Sequence, residues 1–288
     1  MKLFLIHAAI CLAVSMSPPD QYLLHKKQLV DNELAFARLA ANTSIKAAFD
    51  AYLAPRGILF RAGMPVNGLS LNARRTAVPA EKLRWYPEYA LVTRSGDMGF
   101  TAGPYWYSLR DSVKGTGYFF SIWEKNEQQV YKLILDAGIT HTVAALPSPV
   151  CEAAKIVLPV RAPVYVPAKD STAERAFQQF CASAQIRPAE AYRQYISAAP
   201  LVVRANWPQL ADSREAHRYF SSANATRCDF EVLGQGASIA REMQYYYGRA
   251  IIYHGKGKTE KGYFVQVWRP EAAGWKLVAD VFEADRDR

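Results

Sequence analysis

The chain has 288 residues, half of them apolar and rich in Tyr, Phe and Trp, which is enough for sizeable packed cores and excludes a disordered or fibrous protein. Its formal charge of +9 is dispersed: Lys26-Lys27, Arg74-Arg75 and Lys256, Lys258 and Lys261 lie far apart. Nucleic-acid surfaces cluster such residues against phosphates, so no nucleic-acid partner is expected, and the surplus serves solubility or weak attraction to anionic envelope surfaces.

At the N-terminus Lys2 precedes the apolar run LFLIHAAICLAVSM, with small residues at Ala13-Val14-Ser15, the pattern of a signal peptide over residues 1–15. The run is too short to span a bilayer, and Pro18-Pro19 ends it. The expected location is therefore periplasmic or secreted, with no transmembrane segment in the mature chain. Cys11 sits inside the run after Ala8-Ala9-Ile10, a poor setting for a lipid anchor. Cys151, Cys181 and Cys228 have no ligand spacing, so no metal site is read. Cys181 reads as a small core residue, while a Cys151–Cys228 disulfide stays open.

A first unit is expected over residues 22–140. Val30, Leu34, Ala37 and Ala41 recur at helical spacing within a helix from Tyr22 to Asn42. A second helix runs from Ile45 to Leu53, capped by Thr43 or Ser44 and stopped by Pro55-Arg56-Gly57. A strand follows at Ile58–Phe60, then a short helix over 79–84 (PAEKLR). Strands are expected at Glu88–Arg94, Met98–Leu109, Thr116–Lys125 and Val130–Ala137, divided by turn residues such as Ser95-Gly96-Asp97. Residues 141–170 carry five prolines and read as a stiff linker. A second, degenerate unit occupies 171–285, with helices near 171–185, 188–198 and 213–221 and strands at 200–204, 227–233, 238–253, 261–269 and 274–283.

The two units share ordered landmarks. GYFFSIW at Gly117 returns as GYFVQVW at Gly262, Asp136 returns as Asp280, Arg61-Ala62 as Arg204-Ala205, and ELAF at Glu33 as ERAF at Glu174. Landmarks in constant order whose offset drifts slowly indicate duplication of one α+β fold, with helices covering one face of a curved antiparallel sheet.

The runs ELAFARLAANTSIKAAFDAYLAPRGILFRAG, LRWYPEYALVTRSGDMGFTAGPYWYS and GYFFSIWEKNEQQVYKLILDAG, spanning about Leu29 to Ile139, resemble the bacterial domain of unknown function 4440. That family is a branch of the nuclear-transport-factor-2-like (NTF2-like, cystatin-like) superfamily, which includes SnoaL-like cyclases and ketosteroid isomerases. Tyr131 stands where the family usually has Trp, and the second unit lacks the SGD motif. The resemblance implies two cone-shaped domains, each with three helices on a strongly curved sheet around an apolar cavity. It also implies pairing of open sheet faces, here as an intrachain pseudo-dimer, and allows a homodimer.

In the superfamily's enzymes a cavity carboxylate moves a proton next to a carbonyl, with a donor for the developing oxyanion. The residues matching that demand are Asp97 and Asp136 as carboxylates, with Trp85, Tyr105, Tyr107 and Tyr118 as pocket residues. Each has a structural alternative. Asp97 suits a hairpin whose amides it caps, Asp136 recurs as Asp280 and fits a salt link, and Trp85 fits a core. His141 reads as an exposed strand-end residue. No phosphate loop, metal motif, cofactor motif or Ser-His-Asp set is found. The reading is an exported protein binding a small apolar ligand; the alternative is a lyase, isomerase or cyclase with a pocket Asp as general base.

Overall fold

The computed structural model of the chain describes residues 18–76, 78, 80–141, 172–205 and 211–285. The expected signal peptide and, apart from His141, the Pro-rich linker lie outside the described residues. Helix α1 (Pro18–Asn42) buries Tyr22, Lys26, Leu29, Val30, Glu33, Phe36 and Ala40. This stripe keeps the expected helical spacing but is rotated from the expected Val30-Leu34-Ala37-Ala41 line, since Ala41 is exposed. Two ionisable residues belong to the buried face, which a hydrophobic count leaves out. Helix α2 (Ile45–Tyr52) is capped by Ser44, whose Oγ accepts from the Ala47 amide at 3.0 Å.

Strand β1 (Leu53–Arg61) follows at once, so Pro55-Arg56-Gly57 forms an irregularity inside a strand rather than a helix stop. Next come β2 (Met64–Asn67) and α3 (Gly68–Ala73), the latter capped by Asn67. The expected helix over 79–84 is instead β3 (Glu81–Trp85), paired antiparallel with residues 105–109. Helix propensities of a few tenths of a kcal/mol per residue do not outweigh a ladder that also delivers Trp85 to the core. Strands β4 (Tyr89–Val92), β5 (Met98–Leu109), β6 (Ser112–Lys125) and β7 (Tyr131–Thr140) complete a seven-stranded sheet ordered β2-β1-β7-β6-β5-β3, with β4 also on β5.

The C-terminal unit contains α4 (Ala173–Ala184), α5 (Pro188–Tyr195), β8 (Ile196–Arg204), α6 (Ser213–Ser222), β9 (Ala225–Ala237), β10 (Gln244–His254), β11 (Thr259–Glu271) and β12 (Gly274–Ala284). Its five-stranded sheet is ordered β8-β12-β11-β10-β9. Both sheets are antiparallel except for one parallel pair each, β1–β7 and β8–β12.

Bulges decide which side chains face the helices. Between β6 and β7 the register passes from Ile122↔Leu135 to Trp123↔Leu133, skipping Ile134. Ile134 and Leu135 therefore both join the core between the sheets, whereas Tyr131 and Leu133 join the helix-side core. Strict alternation would have put Tyr131 and Leu133 on the same side as Leu135.

Helices cover the outer face of each sheet, and the inner faces share one apolar core built from both units. It includes Phe100, Phe120, Ile122 and Leu135 from one sheet and Tyr263, Val265, Val267 and Val281 from the other. Phe60 stacks on Tyr263 with ring centroids 4.1 Å apart, and the Tyr263 hydroxyl donates to the Gly138 carbonyl at 2.9 Å. The layering is helices, sheet, sheet, helices, with each outer core enclosed by its own helices. No helix among the described residues is long and apolar enough to cross a membrane.

Candidate functional site

The helix-facing side of the N-terminal sheet carries a polar row across its strands. Thr101 on β5 is paired with Ser121 on β6, Ser121 with Asp136 on β7, and Asp136 with Leu59 on β1. Period-two alternation sends their neighbours Phe100, Phe120, Ile122, Leu135 and Ala137 to the opposite face. From above, α1 lowers Glu33 onto this row. Its carboxyl accepts from Trp85 Nε1 at 2.6 Å, from Trp123 Nε1 at 2.9 Å and from Thr101 Oγ1 at 2.5 Å. Glu33 has no solvent exposure.

Burial raises the Glu33 pKa to about 7, opposed by these three donors, with the charge of Asp136 adding a smaller upward push. Asp136 is raised to about 6, again by burial, with the Ser121 hydroxyl opposing at 2.7 Å. The two carboxyls are thus electrostatically coupled in one interior. Asp136 keeps partial exposure, and its Oδ2 has no donor among the described residues. Around Glu33 the aromatic rings pack closely: Phe36 lies 4.8 to 5.8 Å from the rings of Phe49, Tyr52, Trp85 and Trp123. The Tyr52 phenol is pushed up by burial, Arg38 opposing and Glu33 adding to it.

Beside this interior a cleft of about 380 Å³ opens between α2, α3 and β1, lined by Ile45, Phe49, Leu59, Arg61, Leu71, Asn72, Arg74 and Arg75. Leu59, the neighbour of Asp136 on the rung, links cleft and polar row.

The structure brings only part of the expected set together. Asp136 and Trp85 share the interior. Asp97 lies in the β4–β5 turn, where Oδ1 accepts from Thr93 Oγ1 at 2.7 Å and Ser95 Oγ at 2.6 Å, and Oδ2 accepts from the Ile239 amide of the other unit at 2.6 Å. Tyr107 points its hydroxyl at Glu81 at 3.4 Å, and Tyr118 packs against the core between the sheets, beside His141. Tyr105 lines a different cleft, of about 600 Å³, between the units with Phe60, Tyr263 and Glu283. His141, expected to be exposed, is buried at 4% exposure beneath Tyr118, its amide bonded to Thr116. Among the described residues no cluster of three or more His, Cys, Asp and Glu could hold a metal, and Cys181 and Cys228 are free thiols.

In the sequence Glu33 and Trp123 stand out only as recurring scaffold landmarks, while Thr101 and Ser121 lie unmarked within the SGDMGFTAG and GYFFSIW runs. Glu33 was matched with Glu174, but Glu174 is exposed on α4. By packing, Phe180 takes the place of Phe36, since it meets Tyr192, Tyr195 and Trp268 as Phe36 meets Phe49, Tyr52 and Trp123. One turn earlier, Phe177 then stands where Glu33 stands, stacked on Tyr246 at 4.1 Å. A helix can slip by nearly a turn and keep its apolar pattern, which explains the false match.

The rest of the row is altered as well. Tyr246, Gln266 and Asp280 replace Thr101, Ser121 and Asp136, and Asp280 is paired with Val202 as Asp136 is with Leu59. Asp280 is saturated by the Arg204 guanidinium and by Gln266 Nε2 at 3.0 Å. Trp268 Nε1, lacking a counterpart of Glu33, has no hydrogen-bond partner among the described residues. A cavity of about 480 Å³ remains at the mouth of this unit, lined among others by Tyr192, Arg204, Tyr219, Phe220, His254 and Phe282.

No family model matches the sequence, and no curated protein matches it. Solved structures do. A candidate dehydratase of the NTF2-like family from Streptomyces avermitilis is 16% identical over 40% of this chain and 94% of its own, with a TM-score of 0.33. An LEH-like epoxide hydrolase from M. tuberculosis is 12% identical over 38% of this chain and 80% of its own, with a TM-score of 0.30. A protein of unknown function with a cystatin-like fold from Nostoc punctiforme is 11% identical over 40% and 89%, with a TM-score of 0.32.

Proposed function

We propose that this is an exported protein whose N-terminal unit binds a small, largely apolar molecule, with Asp136 as its polar anchor. The C-terminal unit serves as its partner in an intrachain pseudo-dimer of duplicated domains. One observation carries the reading: at the same place in the two sheets, Asp280 is occupied on both oxygens by Arg204 and Gln266, while Asp136 is partly exposed and has one carboxylate oxygen without a donor among the described residues. Apolar walls with a few converging polar groups are the usual make-up of a ligand pocket. Asp97, held by the turn and by Ile239, acts as a positioning residue that locks the hairpin to the other unit.

Native mass spectrometry of the protein purified from its own source tests this. A retained small molecule is expected in the wild type and in Asp97→Ala, and is expected to be lost in Asp136→Asn. Retention in Asp136→Asn, or no retained species at all, would overturn the reading.

A second reading, proton transfer beside a carbonyl, draws on the coupled carboxyls, whose pKa values are raised by burial to about 6 and about 7, so that both exchange protons near neutrality. Asp136 would take the proton, and the Tyr52 phenol, whose ring packs against Trp123, would be the donor. Deuterium exchange at the carbon next to a ketone, abolished in Asp136→Asn and following a bell-shaped pH profile, would support it. No exchange above the rate in buffer would dismiss it.

A further inference from the structure

We infer that the cleft at the mouth of the N-terminal unit receives an oxyanion carried on an apolar body, held by Arg61 and Arg74. This rests on the reading of that unit as ligand-binding and names the class of ligand. Of the cleft's lining residues, Arg75 is committed to Glu81 at 2.7 Å. The neighbouring Asp50 is committed to Lys46 and Asn72, each at 2.7 Å. Arg61 and Arg74 have no ion pair among the described residues, and no carboxylate lines the cleft. Arg74 follows α3, where a cation is favoured by the carbonyl end of the helix, so alone it means little. Arg61 ends a strand and has no such reason to be there.

The C-terminal unit shows what an arginine at this point can do. Arg204 lies two residues beyond Val202, the rung partner of Asp280, just as Arg61 lies two residues beyond Leu59, the partner of Asp136. From there the Arg204 guanidinium reaches inward, is buried at 6% exposure, and grips Asp280. The same reach is thus available to Arg61, yet Arg61 stays exposed and forms no ion pair with Asp136, whose bonded partner is Ser121. Two uncompensated guanidiniums beside one apolar cleft favour a planar oxyanion, which each can bind through two parallel N–H donors. Ile45, Phe49, Leu59 and Leu71 supply contact for the apolar body.

Methyl NMR titration of the full chain tests this with phenylacetate, its neutral amide and inorganic phosphate. Phenylacetate is expected to shift the Leu59 and Leu71 methyls, with the amide about tenfold weaker or more, and phosphate weaker than phenylacetate. The double variant Arg61→Gln/Arg74→Gln should lose the preference for acid over amide while melting as the wild type does, because both side chains are exposed. Equal binding of acid and amide, or unchanged acid binding in the double variant, would overturn the oxyanion and leave the pocket reading intact. Equal binding of phosphate and phenylacetate would overturn the apolar body. Acid binding that needs the arginines but is unaffected by Asp136→Asn would keep this inference and sink Asp136 as the anchor. Silence toward phenylacetate, benzoate and octanoate at about 10 mM would end both.

Discussion

Replacing Glu33 by Gln should change the pH dependence of stability more than stability itself. In the folded protein the carboxyl is fully buried and its pKa stands at about 7, against 4.5 when free. The folded state therefore holds this proton over a window in which the unfolded chain has released it. Stability from this group is complete below pH 4.5 and falls as pH rises through 7. At about 1.4 kcal/mol per pH unit, the loss across the window is on the order of 3 kcal/mol. Glutamine removes that loss but can accept through only one oxygen, so its nitrogen faces either the Trp85 indole, which then has no acceptor, or the Trp123 indole, which keeps only Thr101 Oγ1 at 3.1 Å, at a cost of about 1 to 3 kcal/mol. The variant should thus be clearly less stable than wild type near pH 5 and close to it near pH 8. Urea unfolding followed by tryptophan fluorescence across that range measures the difference. Asp136 contributes a pH trend of the same sign to both proteins, and because its charge acts on Glu33 that trend cancels only in part. Parallel wild-type and variant profiles would refute the assignment of a raised pKa to Glu33.

Further expectations concern the turn, the C-terminal core and the backbone. Asp97→Ala leaves the Ile239 amide without its acceptor and sends the Thr93 and Ser95 hydroxyls to their other acceptors, Met98 O and Glu242, so it should cost about 1 to 3 kcal/mol in chemical denaturation; a loss below about 0.5 kcal/mol would show that the turn does not need it. Arg204→Met leaves Asp280 charged inside the C-terminal core and should cost about 3 to 5 kcal/mol, much of it recovered in Arg204→Met/Asp280→Leu; additive losses in a double-mutant cycle would contradict the pairing. Gly96 has φ +70°, and an added Cβ would lie 2.4 Å from the His25 ring, so Gly96→Ala should lower the melting temperature by several degrees, and an unchanged value would rule out this strain. Tyr131→Phe removes the hydroxyl that donates to the Gly96 carbonyl at 2.7 Å and should cost about 1 to 2 kcal/mol by urea unfolding, with no loss counting against that bond.

Local chemistry made much of the architecture legible. Ser44, Thr172 and Asp212 cap helices where capping residues precede apolar periodicity, and the long strands around GYFFSIW and GYFVQVW stand out by their aromatic and β-branched content. Asp136 was visible as a carboxyl on a strand, because a strand pattern tolerates a charge only for a reason. What the residues alone did not decide is register. The bulge at Ile134 sorts β7 between two cores, the pairing of Glu81–Trp85 with β5 overrides a helical local preference, and the place of Glu33 is taken in the other unit by Phe177 rather than by the matching Glu174. Each depends on which atoms meet across distances of tens of residues, and a helical or alternating pattern is unchanged by a slip of one turn or one bulge. The sequence by itself therefore determined two α+β units and their sheet-rich halves. Only the tertiary structure decided that one interior holds a pair of coupled carboxyls while the other is filled by aromatic rings and closed by its own arginine.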